Sequence, residues 1–209
     1  APCMMQLAMS FVTVMQNHTL SAYGGDIAVS AMGIVYSIMI VFFMPLQGIC
    51  QGAQPIIGYN YGAKKYDRVK KTYKWAVFAG TIFIVAGFAL MQVFPRLFIL
   101  LFSKEAGELR DTAVFCLRVS TMLFPLVAFQ VLTSQYFQAV GKPVQSTILS
   151  LSRQLLFYLP LLLILPQFFA LNGAFFAMPA ADILSVLLSA CLMAFELKHL
   201  SRLQKARQA

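Results

Sequence analysis

Residues 27–63 read IAVSAMGIVYSIMIVFFMPLQGICQGAQPIIGYNYGA, a stretch without a single charged side chain. A helix rising 1.5 Å per residue needs about 20 apolar residues to cross a ~30 Å hydrocarbon core. This run is therefore too long for one straight crossing. It also carries Gly33, Pro45, Gly48, Gly52, Pro55 and Gly58, residues that kink or loosen a helix. Two readings fit: one long kinked helix, or two short crossings of about 17 residues each. In both, the natural solvent of the segment is lipid.

The rest of the chain repeats the pattern. Uncharged runs also occupy 1–25, 75–95, 119–141, 143–152, 154–181 and 183–195. Of 209 residues, 60% are hydrophobic and 11% charged, against about 25% charged in soluble domains. Nineteen Phe and eleven Met exclude a disordered tail, and the low charge excludes a coiled coil. A net charge of +9 would suit a nucleic-acid binder, but the basic residues cluster beside apolar runs and no basic-aromatic recognition module is present. A juxtamembrane role is the simpler account, and no nucleic-acid partner is expected. Cys3, Cys50, Cys116 and Cys191 lie inside apolar stretches without CxxC spacing and read as small buried hydrophobes. An apolar run starts at Ala1 without a charged n-region or cleavage site, so the chain is expected to have been cut from something longer.

Turn and helix-stop signals divide the chain into six spans, about 2–20, 27–58, 73–94, 112–140, 143–165 and 173–195, followed by a basic tail over 196–209. The first span closes on Ser21, Ala22, Tyr23, Gly24 and Gly25, with Asp26 placed to cap the second. Pro95 stops the third, Gly141 and Pro143 stop the fourth, and short connections predict one compact all-α bundle. Lys64, Lys65, Arg68, Lys70, Lys71, Lys74, Lys142, Lys198, Arg202, Lys205 and Arg207 all fall on one side of this scheme. The other side has Arg96, Lys104, Arg110 and Arg118, offset by Glu105, Glu108 and Asp111. By the positive-inside rule the first side is cytoplasmic, and with six spans both ends of the chain are too. Asp67 and Lys71 stand at a favourable i,i+4 spacing, and the basic segment is expected to attract the anionic headgroups of membrane lipids.

Only Arg153 and Asp182 place charge deep in spans, the fifth and the sixth. A charge at the bilayer centre costs about 2.5–3.5 kcal/mol on insertion scales, so each should face the bundle interior and find a partner. Counted in from the outer loop, their depths differ by roughly 4.5 Å, within an arginine's reach. The pair is either a polar element of a substrate or ion pathway or an ion pair that locks two helices. Gln47, Gln51 and Gln54 fall on one helical face, where amides either line a cavity or hydrogen-bond to neighbouring helices. Gln130, Gln135, Gln138, Gln154 and Tyr158 invite the same two readings. Gly48, Gly52 and Ala53 permit close backbone approach to a neighbour, and the methionines and phenylalanines would suit a pocket that repacks around varied guests. Enzyme signatures such as HExxH, GxSxG, a P-loop or GxGxxG are absent, so no catalytic activity and no cofactor are expected.

The run from Met44 to Ala63, with Tyr66, Asp67, Arg68 and Val69 after it, resembles the signature of multidrug and toxic compound extrusion (MATE) transporters. Tyr23-Gly24-Gly25-Asp26, Phe137-Gln138-Ala139-Val140-Gly141-Lys142-Pro143, Leu151-Ser152-Arg153-Gln154 and Pro179-Ala180-Ala181-Asp182 agree with it. Together they look like the carboxyl-terminal half of the MepA-like branch. The resemblance implies a twelve-helix architecture of two six-span lobes around a central cavity, of which this chain is one lobe and the amino-terminal lobe its partner. It implies efflux of varied, often cationic, organic compounds across a bacterial plasma membrane in exchange for Na⁺ or H⁺, and a second span that is one long helix. Some branches carry an acidic residue in the first or fourth helix of this lobe, but here no Asp or Glu occurs between Ala1 and Gly25 or between Thr112 and Ala181. The coupling cation is therefore expected at an acidic group of the other lobe. Two rivals remain: a lipid-linked precursor flippase, which should show a strongly cationic cavity, and a non-transporting scaffold assembled through the Gly48/Gly52 face.

Overall fold

The computed structural model describes the backbone of residues 2–103 and 107–208 and the side chains of 6–103 and 107–204. Lys104, Glu105 and the side chains of Cys3, Lys205 and Arg207, used above, lie outside the described residues. In chain order the helices are α1 (Pro2–Gly62), α2 (Tyr66–Val93), α3 (Pro95–Phe102), α4 (Glu108–Ser120), α5 (Phe124–Ala139), α6 (Pro143–Leu151), a π-helical segment (Ser152–Tyr158) and α7 (Leu159–Gln208). The described residues contain no strand.

Two of these helices fold back on themselves. In α1 the break is Gly25, whose φ of 62° and ψ of −161° lie in a region that is essentially glycine's alone. Tyr36 donates to Oε1 of Gln16 at 2.9 Å, so the arms before and after Gly25 pair as a hairpin. In α7 the break is Ala170, at φ 49° and ψ −135°, where a Cβ makes the backbone strained by about 1–3 kcal/mol. The turn holds because Gly173 lies against the backbone of Leu165 and Pro166, leaving no room for a side chain there. Asp26, expected to cap the second arm, is exposed and makes no hydrogen bond. Gly25 reverses the chain within one residue, so there is no separate helix start for Asp26 to cap.

Three helical stretches are long and apolar enough to cross a membrane: Gln6–Gly62, Tyr66–Val93 and Pro143–Gln204. The pair α4 and α5, bent by 54°, forms another. With the breaks at Gly25 and Ala170, the described residues make six long rods, with the short α3 between the third and the fourth. The arm after Gly25 is one helix through Pro45 and Pro55 to Gly62, not two short crossings. The fourth rod departs from an unbroken helix over 112–140, because turns at 121–123 precede Pro125, which sits in the first turn of α5. The fifth rod carries the π-helical segment in its middle.

Large side chains fully buried between the rods include Phe124, Tyr136, Phe137 and Phe175, while Leu7, Phe11, Trp75, Phe78, Leu101, Phe168 and Phe195 point outward. An apolar exterior over an apolar core is what a helix bundle dissolved in lipid presents. Cys50 and Cys116 are buried as expected, but Cys191 is exposed. It lies near Leu187 and Phe195 on the outer side of α7, so being apolar did not place it inside.

One end of the bundle gathers the basic residues. Lys70 donates to Ser201 Oγ at 2.9 Å and to Gln204 Oε1 at 3.3 Å. Lys142, between α5 and α6, pairs with Glu196 of α7. The Lys-rich segment, the α5–α6 turn and the start of the tail thus share one end. The Asp67–Lys71 spacing closes no ion pair there.

Candidate functional site

The centre of the candidate site is the π-helical segment. A π turn inserts an extra residue into the i→i−4 pattern, rotates the side chains after it and recurs at functional positions. Arg153, Gln154 and Tyr158 all lie on it. Arg153 Nε donates to Asp182 Oδ1 at 2.8 Å, joining the fifth and sixth rods. The two side chains are 15% and 3% exposed. Burial this deep requires the carboxylate to keep its partner, because an uncompensated ion in a low-dielectric interior is costly. The remaining N–H groups of the guanidinium have no protein partner.

Those donors border open space. A cavity of about 320 Å³ lies between both arms of α1, α5, α6, the π segment and α7. Gln47, Gln130, Arg153 and Gln154, singled out from sequence, all line it, and so does Gln135. Tyr36, Met39, Phe43, Ser134, Ser150 and Met178 complete much of the wall. Gln130 is 3% exposed and donates to the Leu149 carbonyl at 3.3 Å, while its Oε1 has no partner. An unsatisfied buried acceptor costs about 1–3 kcal/mol unless something supplies a donor.

Behind Arg153 is a crevice of about 10 Å³ bounded by Gln154, Tyr158, Met178, Ala181 and Asp182. Arg153 is thus the wall between the cavity and the buried carboxylate. The Tyr158 hydroxyl is buried beside the hydroxyl of Tyr36, with Cys116 and Asp182 also near it. Gln16 adds a buried, unpartnered Nε2 next to Tyr36. Polar groups from five of the six rods therefore converge on one depth of the bundle.

The three glutamines of α1 separate. Gln47 enters the cavity, Gln51 is exposed on the outside, and Gln54 lines a second crevice with Tyr73, Gln135 and Tyr136. They share a face as expected, but seven residues put Gln47 and Gln54 about 10 Å apart along the axis. Gln138 is exposed. Sequence reasoning missed Gln16, Tyr36 and the π segment. One signal was available: Tyr36, Met39, Phe43 and Gln47 repeat at spacings of three and four, which makes a continuous stripe.

No three His, Cys, Asp or Glu side chains converge on a metal-sized site among the described residues. The site's chemistry is hydrogen bonding, one guanidinium and polarizable thioethers.

The MatE family profile matches residues 2–164. Multidrug export protein MepA of Staphylococcus aureus (strain MSSA476) is 26% identical over 185 residues, which is 88% of this chain and 40% of MepA. The chain spans less than half the length of such relatives. Its fold is also similar to the outward-facing conformation of a multidrug resistance MATE family transporter of the MOP superfamily, at a TM-score of 0.86 and 20% identity over 97% of this chain and 45% of that one. For an inward-facing conformation of such a transporter the TM-score is 0.85 at 20% identity, over 96% and 46%.

Proposed function

This chain belongs to the MatE family, and on that premise we propose that it is the carboxyl-terminal lobe of a two-lobe transporter that exports organic compounds against a cation gradient. The observation that carries the reading is the cavity, walled by Arg153, Gln130, Gln154 and Gln47 and backed by a buried carboxylate. A membrane bundle that served only as a scaffold would gain nothing from burying unsatisfied amides beside empty space. The lobe is as similar to an outward-facing as to an inward-facing transporter structure, which supports a rigid body that rocks against its mate.

The wall also indicates the cargo. Met9, Met39, Met178 and Phe43 form a soft apolar surface that repacks around different shapes. The amides and the free guanidinium donors supply a few hydrogen bonds that orient a guest. Among the described residues, Arg153 is the only charged side chain in the wall, and it is held by Asp182. That is not the strongly cationic cavity a flippase for anionic lipid-linked precursors requires. Gly48 and Gly52 meet nothing within 4 Å. With exposed Met44, Gln51 and Pro55 they form an open stripe that the amino-terminal lobe would cover. The coupling ion, Na⁺ or H⁺, would bind in that other lobe, and the Lys-rich end would face the cytoplasm of a bacterial cell.

The test is efflux of a fluorescent organic cation from proteoliposomes holding the full-length protein. Transport should stop when the driving gradient, proton or sodium, is collapsed. Transport that persists with both gradients collapsed would overturn the proposal.

A further inference from the structure

A second recess lies at the basic end, between the second arm of α1 and the start of α2, with a volume of about 620 Å³. Arg68, Lys71 and Trp75 line it from α2, at spacings of three and four that form one stripe, and Asn60, Ile56 and Ile49 line it from α1. Its polarity runs along its length. Arg68, Lys71 and Asn60 make one end, and about 16 Å along α1 the wall has become Ile49, with Trp75 between. Arg68 and Lys71 are exposed and have no ion-pair partner among the described residues.

Asn60 is the less usual element. It is 8% exposed, its Nδ2 donates to the Ile56 carbonyl at 2.8 Å, and its Oδ1 has no partner. The recess thus offers two exposed cations without an ion-pair partner beside an apolar trough, while Asn60 Oδ1 is closed off inside its wall. A molecule that matches has an anionic phosphate headgroup and acyl chains. Tryptophan is at home at the depth where headgroup gives way to chain, and paired Lys/Arg side chains recognise anionic headgroups in the cytoplasmic leaflet.

We propose that this groove is a binding site for an anionic phospholipid, phosphatidylglycerol being the probe, whose phosphate lies between Arg68 and Lys71 and whose chains follow Trp75 towards Ile49. The site is separate from the transport cavity. At roughly 100° per residue, Ile49, Ile56 and Asn60 stand about 120° round α1 from Tyr36, Met39, Phe43 and Gln47, and about 80° from Gly48 and Gly52. It therefore opens away from the cavity and beside the face assigned to the other lobe. The inference rests on the bundle being embedded in a membrane with its Lys-rich end at the cytoplasmic leaflet. It is read without transport, so it and the efflux reading fail separately.

The experiment is native mass spectrometry of the full-length protein in mild detergent, titrated with phosphatidylglycerol, phosphatidylethanolamine and phosphatidic acid of identical acyl chains. Phosphatidylglycerol should be retained on the order of tenfold better than phosphatidylethanolamine. The R68Q/K71Q variant changes only exposed side chains and should remove that preference. Phosphatidic acid, which shares the anionic phosphate and the chains, should also be retained better than phosphatidylethanolamine. Equal retention of phosphatidylethanolamine and either anionic lipid by the unaltered protein, or unchanged retention by R68Q/K71Q, would overturn the site.

Discussion

Two ion pairs among the described residues look alike on paper. Arg153–Asp182 joins the fifth and sixth rods, Lys142–Glu196 joins the α5–α6 turn to α7, and in each the carboxylate is nearly buried. Their surroundings differ. Around Glu196 the polar groups close on one another: Tyr136 adds a hydrogen bond at 3.4 Å, and nearby Tyr73 and Thr133 pair at 2.7 Å. On the other side of Arg153 from Asp182 lie groups without a protein partner, Gln16 Nε2 and Gln130 Oε1, and an open cavity. Burial is thus no guide to role. A closed polar cluster rigidifies an end of the bundle, whereas the incomplete one borders the space where the proposed guest would bind.

The sharpest way to break this contrast is Asp182→Ala in the full-length protein. It leaves Arg153 buried and uncompensated, at a cost of about 3–5 kcal/mol, so thermal stability in detergent should fall and efflux should be lost. R153M/D182L, with both charges replaced by apolar groups, should recover most of the stability but none of the efflux. Recovery of both would reduce the pair to a lock. Lys142→Met should cost about as much stability, since it strands Glu196, but K142M/E196L should restore stability and efflux together. Efflux absent from that second pair would erase the distinction between the two regions. Tyr73→Phe should lower stability by about 1 kcal/mol, measured in a denaturation series, with transport unchanged. The smallest stability effect is expected for Gln130→Leu, which removes an unsatisfied acceptor along with one hydrogen bond. Stability should stay within about 1 kcal/mol while efflux of substrates that donate hydrogen bonds falls. A fall in stability alone would make Gln130 a packing residue.

Much of the fold was legible in residue order. The long uncharged runs, the turn at Gly24-Gly25 and the stop at Pro95 mark where helices break, because hydrocarbon penalises charge and proline penalises helix interiors, although the helix expected from 73 begins at Tyr66 and the last one runs on to Gln208. The ion pair was legible for the same reason: two isolated charges in facing spans at similar depth have few other partners. The bend at 121–123 and the π segment were not. Pro125 is compatible with either a kinked or a restarted helix, and nothing in Ser152-Arg153-Gln154 distinguishes a π turn from an α turn, since the difference lies in which carbonyl each N–H reaches after packing. Cys191 shows the limit of composition, because in a lipid-exposed bundle apolar residues belong on both sides of a helix.

What the order of residues determined by itself was solvent and pattern: a chain too apolar for water, cut into crossings by glycine, proline and charge, with its basic residues on one side. Which side chains meet was decided only by the tertiary structure. Gln47 and Gln54 share a helical face yet serve different recesses, Tyr36 and Gln16 join a site that neither advertises, and Asn60 becomes an unsatisfied acceptor only once α1 lies against α2. The reason is that helical periodicity sets direction around one axis, whereas depth and neighbours come from how several axes cross, tilt and break, and those follow from close packing of the whole bundle.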